Sequence, residues 1–267
     1  MINIDSLTVG ADPEFFIKDH MGRILPAVRF TSGNKESPEN IGNDILIHQD
    51  NVTLEVNFKP QKTRQDFIEG VQLAMDALRK RIAPNELVIT PSMEFTDYEL
   101  KMFGDTAFEF RCDPEENIFG PSKYRMEHLL RSAGGHVHIG WGEADHREQN
   151  QIASWCDLMI GVPGVLLEDH IWAAKRRHNY GKPGSMRRKP YGLEYRTPGN
   201  EWLRTSESIG MMFDLVSNCF ETSLVKGMRS PLDNTNSVKK VQRCINLSDS
   251  KAALGLLKQY EGYVKCM

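Results

Sequence analysis

Apolar and polar positions first divide the chain into elements. The first sixty residues read as strands: Leu7-Thr8-Val9 runs through Asp12-Pro13-Glu14-Phe15-Phe16-Ile17, and His20-Met21-Gly22 turns the chain into Arg23–Val28. Ser32–Asn43, rich in Gly, Asn, Ser and Pro, is a loop. Ile45–His48 and Val52–Phe58 flank Gln49-Asp50-Asn51 as a hairpin. Thr63–Ala83 is the clearest helix, with Phe67, Val71, Met75, Leu78 and Ile82 on one face at helical spacing. Further strands are expected at Leu87–Thr90, Ala107–Cys112, His136–Trp141 and Gly192–Arg196. Helices are expected at about 146–161, 164–174, 205–226 and 250–264, the last two capped by Ser206 and by Ser248 or Ser250. Strands lie early and late with helices between, and no repeat or linker interrupts them. That order predicts one α+β domain over residues 1–267, built around a largely antiparallel sheet.

Four of these strands share a feature. Side chains alternate faces with period two, so Asp12 and Glu14 share a face, as do Thr53, Glu55 and Asn57. His136, His138 and Gly140 share another, and Glu194 and Arg196 a fourth, each with apolar residues opposite. A sheet with one solvated face would look similar. Such a face usually mixes Lys, Thr, Ser and Glu, whereas these positions carry short metal-ligand types and almost no Lys. Gly10, Pro13, Gly134, Gly135, Gly140, Gly142, Pro198 and Gly199 flank them, and glycine lets a ligand or another backbone come close. Carboxylates gathered on one concave surface repel unless a cation neutralises them, and an oxygen-rich set with one imidazole suits Mg²⁺ or Mn²⁺.

Residues 175–189 hold Lys175, Arg176, Arg177, Lys182, Arg187, Arg188 and Lys189 and no acid. Alone the stretch is a solvated basic loop or a weak nucleic-acid contact. Because it runs directly into the Glu194–Arg196 strand, some of its guanidinium groups are expected over the cleft. Metals with arginines form the usual clamp for a transferring phosphoryl group. Gly-x-x-x-x-Gly-Lys-Ser/Thr is absent, which excludes a P-loop.

Composition narrows the function class. Lys+Arg 33 against Asp+Glu 36 gives a net charge of −3, so nucleic acid is not expected as a bulk partner. The 5 cysteines form no Cys-x-x-Cys, which fits reduced thiols in a cytoplasmic protein. Met-Ile-Asn-Ile-Asp lacks the basic start and apolar run of a signal peptide. Leu158–Leu167, the most apolar stretch, is about half of a ~20-residue membrane span and contains Pro163, so it is expected as a core helix.

Gly10-Ala11-Asp12-Pro13-Glu14-Phe15-Phe16 resembles the Gly-x-Glu-Pro-Glu-Phe-Phe strand of glutamine synthetases. Gly135-His136-Val137-His138 resembles their Met-His-x-His strand, Gly184-Ser185-Met186-Arg187 their Ser-x-Arg loop, and Glu194-Tyr195-Arg196 their Glu-Val-Arg strand. All four occur in the family's order. The sequence is more similar still to the compact phage-type carboxylate–amine ligases (amidoligases) of that superfamily, over roughly residues 8–200, with a helical part at about 201–267 beyond. The resemblance implies a curved antiparallel sheet packed by helices. It also implies two Mg²⁺ or Mn²⁺ ions, ATP as cosubstrate, and an amide formed through an acyl phosphate, in the host cytoplasm if the protein is phage-encoded.

By position, the resemblance places Glu14 and Glu55 in one metal site, assisted by Asp50, and Asp12, His136 and Glu194 in the other. His138 is expected near the ATP phosphates, with Lys182 standing where the family has an arginine. Arg187 and Arg196 are expected as the catalytic arginines, and Arg187, Arg176 and Arg131 as phosphate contacts. Asp12 replaces a longer Glu, and the Asp50 hairpin is shorter than its counterpart. No ammonia-site loop or small amino-terminal domain is evident, so the amine is expected on a larger molecule. A carboxylate and an amine are the expected substrates, an oligomer is compatible with the sequence, and Asp50 and Glu109 are the candidate general bases.

Glu109 and Arg111 alternate with Phe108 and Phe110 and either face the cleft or form a sheet-surface ion pair. Cys112 has no nearby histidine that would make it a nucleophile. Trp155, Met159, Met211, Met212 and Phe213 are expected in the core, and His170 and His178 in surface or packing positions. Three rival readings follow. A guanidino kinase of the same fold would stop after phosphate transfer. A cupin-like metal protein would use His136, His138 and Glu143, although Leu130 and Asn150 stand where that motif needs glycine. A non-catalytic metal or nucleic-acid binding protein would rely on residues 175–189.

Overall fold

The computed structural model describes residues 2–50, 52–108, 116–232 and 234–264. Twelve strands and seven main helices follow in chain order among them. The strands are β1 (Thr8–Lys18), β2 (Ile24–Leu25), β3 (Glu39–Asn40), β4 (Leu46–Asp50), β5 (Thr53–Asn57), β6 (Glu86–Val88), β7 (Ser92–Glu94), β8 (Glu116–Asn117), β9 (Leu130–Ser132), β10 (Gly135–Gly140), β11 (Ser185–Lys189) and β12 (Gly192–Tyr195). The helices are α1 (Arg64–Ile82), α2 (Asp97–Phe103), α3 (His146–Cys156), α4 (His170–Asn179), α5 (Ser206–Phe220), α6 (Thr235–Asn246) and α7 (Ser250–Gln259). The fold is α+β, as the element order predicts.

Ten strands form one sheet, ordered β3-β4-β5-β1-β10-β12-β11-β8, with β2 and β6 also pairing with β1, and each of these pairings is antiparallel. A separate two-stranded sheet joins β7 to β9. β1 is central because its apolar face supplies Val9, Ala11, Phe15 and Ile17 to the main core. Val137 and Ile139 of β10 and Leu193 and Tyr195 of β12 continue that face, and α1, α3 and α5 contribute to the same core. On the other face, Phe16 follows Glu14 and seeds a smaller core with Val52, Phe95, Leu100, Ala107 and Ala133.

The helix ends explain several departures from the sequence pattern. Thr63 caps α1 by accepting from Asp66 N. The expected helix at 164–174 instead breaks at Glu168, which is extended, and Asp169 caps α4 by accepting from Ile171 N and Trp172 N. α4 therefore runs to Asn179, so Lys175, Arg176 and Arg177 are helical and not part of a loop. Thr205 caps α5 in place of Ser206, and Asp249 caps α7 in place of Ser248 or Ser250. Only Ile24–Leu25 of the expected Arg23–Val28 strand forms, because Pro26, which has no N–H to donate, leads into a tight turn over Ala27–Arg29. Asp105–Phe108 is likewise a tight turn and not the start of a strand. Glu109, Arg111 and Cys112 lie outside the described residues.

α3 continues through a wide π turn at Asp157–Gly161 into a short turn at Val162–Gly164. Leu158–Leu167 is thus a core segment as expected, and among the described residues no helix is long and apolar enough to cross a membrane. Cys156, Cys219 and Cys244 are buried free thiols.

Candidate active site

Strand register brings the separated motifs together. On one side of β1, Asp12 pairs across the ladder with His136 of β10, and His138 pairs with Glu194 of β12, which in turn faces Arg187 of β11. On the other side, Glu14 pairs with Glu55 of β5, and Glu55 with His48 of β4. Two groups of potential ligands result, Asp12–His136–Glu194 and Glu14–Asp50–Glu55. Within each, one ligand atom per residue lies within 4.8 Å of the others.

Close backbone approach keeps the first group tight. A Cβ on Gly134 would run into His136 Nε2. Gly134 N donates to Glu14 Oε2 at 2.8 Å, so the same glycine also seats a member of the second group. His136 Nδ1 lies 3.1 Å from Asp12 Oδ1 and 3.9 Å from Glu194 Oε1, while Nε2 is buried with no hydrogen-bond partner. His138 Nε2 lies 3.2 Å from Asp12 Oδ2, and Nδ1 meets the Tyr191 hydroxyl at 2.7 Å.

The two groups differ in charge balance. Fully buried Glu194 has Lys189 Nζ at 2.8 Å, Arg187 Nη1 at 3.3 Å and Arg196 Nε at 3.4 Å. Burial and the Asp12 charge oppose ionisation of Glu194, yet His136, Arg196 and His138 hold its carboxyl below the usual range. Burial likewise opposes the Asp12 charge, and His138 and His136 hold that carboxyl well below its usual range. Glu14 behaves oppositely: burial, Asp50 and Glu55 push it well above, against a smaller pull from the Gly134 amide and Arg176. Burial and Glu55 push Asp50 up to about 6. His48 Nε2 lies 3.3 Å from Glu55 Oε2. Three acids are therefore gathered where an added cation would favour their ionised forms.

The donor chemistry fits two hard divalent ions: five carboxylates supply oxygen, one imidazole supplies nitrogen, and among the described residues neither group includes a thiol. The residues that the resemblance assigns to each site, Asp50 included, fall into the same two groups.

The basic residues separate into those at the cleft and those elsewhere. Arg187 and Arg196 reach Glu194. Arg196 lies 5.0 Å over the Tyr180 ring, with Nε and Nη1 buried and unpartnered by hydrogen bonds. Lys182 turns its ammonium to Lys123 O, 5.1 Å over the Tyr124 ring. Two of the expected phosphate contacts are buried and bonded to main-chain carbonyls. Arg131 is buried and donates to Ala107 O, His128 O and Leu130 O, holding the β9 region to the Asp105–Phe108 turn. Arg176 is buried at the end of α4 and donates to Thr197 O at 2.8 Å and Arg196 O at 3.3 Å. Arg177 pairs with Glu168 in the interior, and Arg188 meets Glu116, Gln149 and Asn150. With its arginines turned inward or paired, 175–189 offers no continuous basic surface of the kind a nucleic-acid reading requires.

Tyr180, Tyr191 and His48 were not singled out from the sequence, and Lys189 was named only as part of the basic stretch. Lys189 had a usable signal. Two residues after Arg187, it shares that residue's face once 185–189 is recognised as a strand.

The fold and site define an α+β protein with carboxylate clusters on both flanks of a central antiparallel strand and arginines above one of them. Residues 127–224 match the family model of the phage phiEco32-like COOH.NH2 ligase-type 2 proteins, a carboxylate–amine ligase family. That stretch contains His136, His138, Arg187, Glu194 and Arg196 and excludes Asp12 and Glu14. No curated protein matches the chain at a significant level.

Proposed function

We propose that this chain is an ATP-dependent, Mg²⁺- or Mn²⁺-dependent carboxylate–amine ligase that forms an amide through an acyl phosphate. The observation that carries this reading is the pair of ligand groups flanking β1, with Arg187 and Arg196 at the edge of one of them. Asp12, His136 and Glu194 would hold one ion and Glu14, Asp50 and Glu55 the other, supplying positive charge against the phosphate oxygens.

In the reaction, a substrate carboxylate oxygen bonds to the γ-phosphorus and ADP leaves with the electrons of the broken P–O bond. The amine nitrogen then attacks the acyl carbon, loses a proton and expels inorganic phosphate. Negative charge spreads over the transferring oxygens in the first step, where preorganised guanidinium groups act most strongly. Arg196 brings buried N–H groups, with Nε facing Glu194 at 3.4 Å and Nη1 making no hydrogen bond. Arg187, half-buried, adds a second donor beside the same carboxylate. His138 is fixed between Asp12 and Tyr191, which orients its ring at the cleft edge. Tyr180, packed against Arg196 and His136, helps keep water from the arginine.

The test is incubation with ATP, Mg²⁺ or Mn²⁺ and pools of carboxylates and amines, following ADP and searching for the new amide by mass spectrometry. ADP release that needs both substrates, with an amide product, supports the ligase. ADP release with a phosphorylated product and no amide would replace it with a phosphotransferase.

A further inference from the structure

Behind the cleft, on the helix side of the sheet, the structure makes an arrangement that folding alone does not favour. Asp157 is fully buried in the π turn that extends α3. Its Oδ1 accepts from the Tyr195 hydroxyl at 2.7 Å and from Gly184 N at 2.9 Å, while Oδ2 is buried with no hydrogen-bond partner. A half-satisfied carboxylate in the core destabilises the fold, and burial raises its pKa to about 6.

Both donors lie where the cleft strands are anchored. Tyr195, the last residue of β12, sits between Glu194 and Arg196 and points to the opposite face. Gly184 immediately precedes β11, which carries Arg187 and Lys189. The helix is shaped around this contact, because a Cβ on Gly161, four residues after Asp157, would come within 2.6 Å of the Tyr195 hydroxyl. Gly184 is equally constrained: its φ is +83°, and a Cβ there would meet Asn117 Oδ1 at 2.6 Å. Single-turn π segments recur at functional sites, where they re-aim one side chain.

We propose that Asp157 is a positioning residue of the cleft: by holding Tyr195 and Gly184 through a single oxygen, it fixes β12 against the start of β11 and so sets Glu194, Arg196 and Arg187 relative to one another. The effect on turnover rests on the ligase reading, whereas the effect on anion binding does not. The charge is incidental to this role and the acceptor oxygen is essential.

Asp157→Leu removes the acceptor and the buried charge together. It should lower affinity for inorganic tripolyphosphate, measured by calorimetry, and amide-forming turnover, each about tenfold or more, as small misplacements of a clamp do. Its Tm should fall only modestly, because the half-satisfied carboxylate leaves the core while the Tyr195 hydroxyl and the Gly184 amide lose their acceptor. Mn²⁺ affinity at the Glu14–Asp50–Glu55 group should be unchanged, since that group lies across β1. Asp157→Asn, which keeps an acceptor oxygen, should restore most of the loss, and Tyr195→Phe should show an intermediate loss. Should the leucine variant not fold, Tyr195→Phe carries the same test. Variants that bind tripolyphosphate within twofold of wild type would overturn the proposal. So would losses that follow a large fall in Tm and are not restored by asparagine. A wild-type chain that binds tripolyphosphate but makes no amide would overturn the ligase reading alone.

Discussion

Asp12 and Glu14, separated only by Pro13 on one face of β1, join different ligand groups: Asp12 is drawn toward His136 and His138, and Glu14 toward Glu55. One strand thereby serves both clusters, and the charge balance on its two flanks differs. Glu194 is enclosed by cations that the protein supplies, while Glu14 faces other acids. Equivalent substitutions in the two groups should therefore have opposite effects on the metal-free protein.

Glu14→Gln removes one of three crowded acids, so the metal-free protein should be as stable as wild type or more stable. Divalent-ion binding should nevertheless weaken by more than the roughly 10–100-fold that loss of even an outer-shell partner brings. Titration with Mn²⁺, alongside melting with and without the ion, reads both effects. A variant that melts lower without metal would contradict the repulsion argument.

Glu194→Gln should instead destabilise the metal-free protein by about 3 kcal/mol or more, because it leaves Arg187, Lys189 and Arg196 without their shared buried counter-charge. Urea unfolding at neutral pH measures this. A wild-type midpoint would mean that the three cations have other partners.

Arg131→Lys separates a structural arginine from a phosphate contact. The lysine cannot reproduce donation to Ala107 O, His128 O and Leu130 O, so stability should fall by about 2–4 kcal/mol. ATP affinity of the folded fraction should stay within about twofold, and a tenfold loss would return Arg131 to the cleft.

That acids and imidazoles gather on one face was legible in the sequence because it depends on period two, whereas their division into two groups was implied only by the family resemblance. Asp12 with Glu14, His136 with His138, and Glu194 with Arg196 declare a shared face without knowledge of the fold, and glycines beside them mark close approach. Arg131 and Arg176 were not legible, since nearness in sequence to a cleft strand says nothing of which carbonyls a long side chain will meet. β11 was hidden because Ser-Met-Arg-Arg-Lys lacks the apolar alternation of a strand. Its register comes from β12 and not from its own residues. α6 was missed although Val238, Val241 and Ile245 have helical spacing, because the segment is otherwise largely polar. Asp157 was overlooked as one acid at the edge of an apolar run, where only the folded chain shows what it holds.

Glu201 provides a pH signature away from the cleft. Burial and nearby Glu168 and Asp169 raise it from 4.5 to about 7, against the Asp169 amide and Arg204. The folded state thus holds a proton that the unfolded state releases between these values. The contribution of this group is full below about pH 4.5 and is lost as pH rises through about 7, a difference of about 2–3 kcal/mol. Glu201→Gln should flatten that part of the stability–pH curve, measured by urea unfolding between pH 5 and pH 8. An unchanged slope would assign it to another group.

Gly134→Ala gives the sharpest separation of site from scaffold. The added methyl would overlap His136 Nε2, the far end of a side chain, and not backbone, so the imidazole can swing away at small cost to the fold. Swinging moves Nδ1 from Asp12 Oδ1 and Glu194 Oε1, the contacts that define one ligand group. Stability should fall by no more than about 1–2 kcal/mol, within the usual range for a local overpacking. Divalent-ion binding at the Asp12–His136–Glu194 group should weaken about 100-fold, and ATP turnover with it, because a displacement near 1 Å at a reacting site is worth that much. Glu14 keeps its bond from the residue 134 amide, so the second group should still bind an ion, and Mn²⁺ titration should show one site lost and one retained. Loss of both sites would mean that the clusters are not independent across β1, and loss of neither would show that His136 does not serve as a ligand.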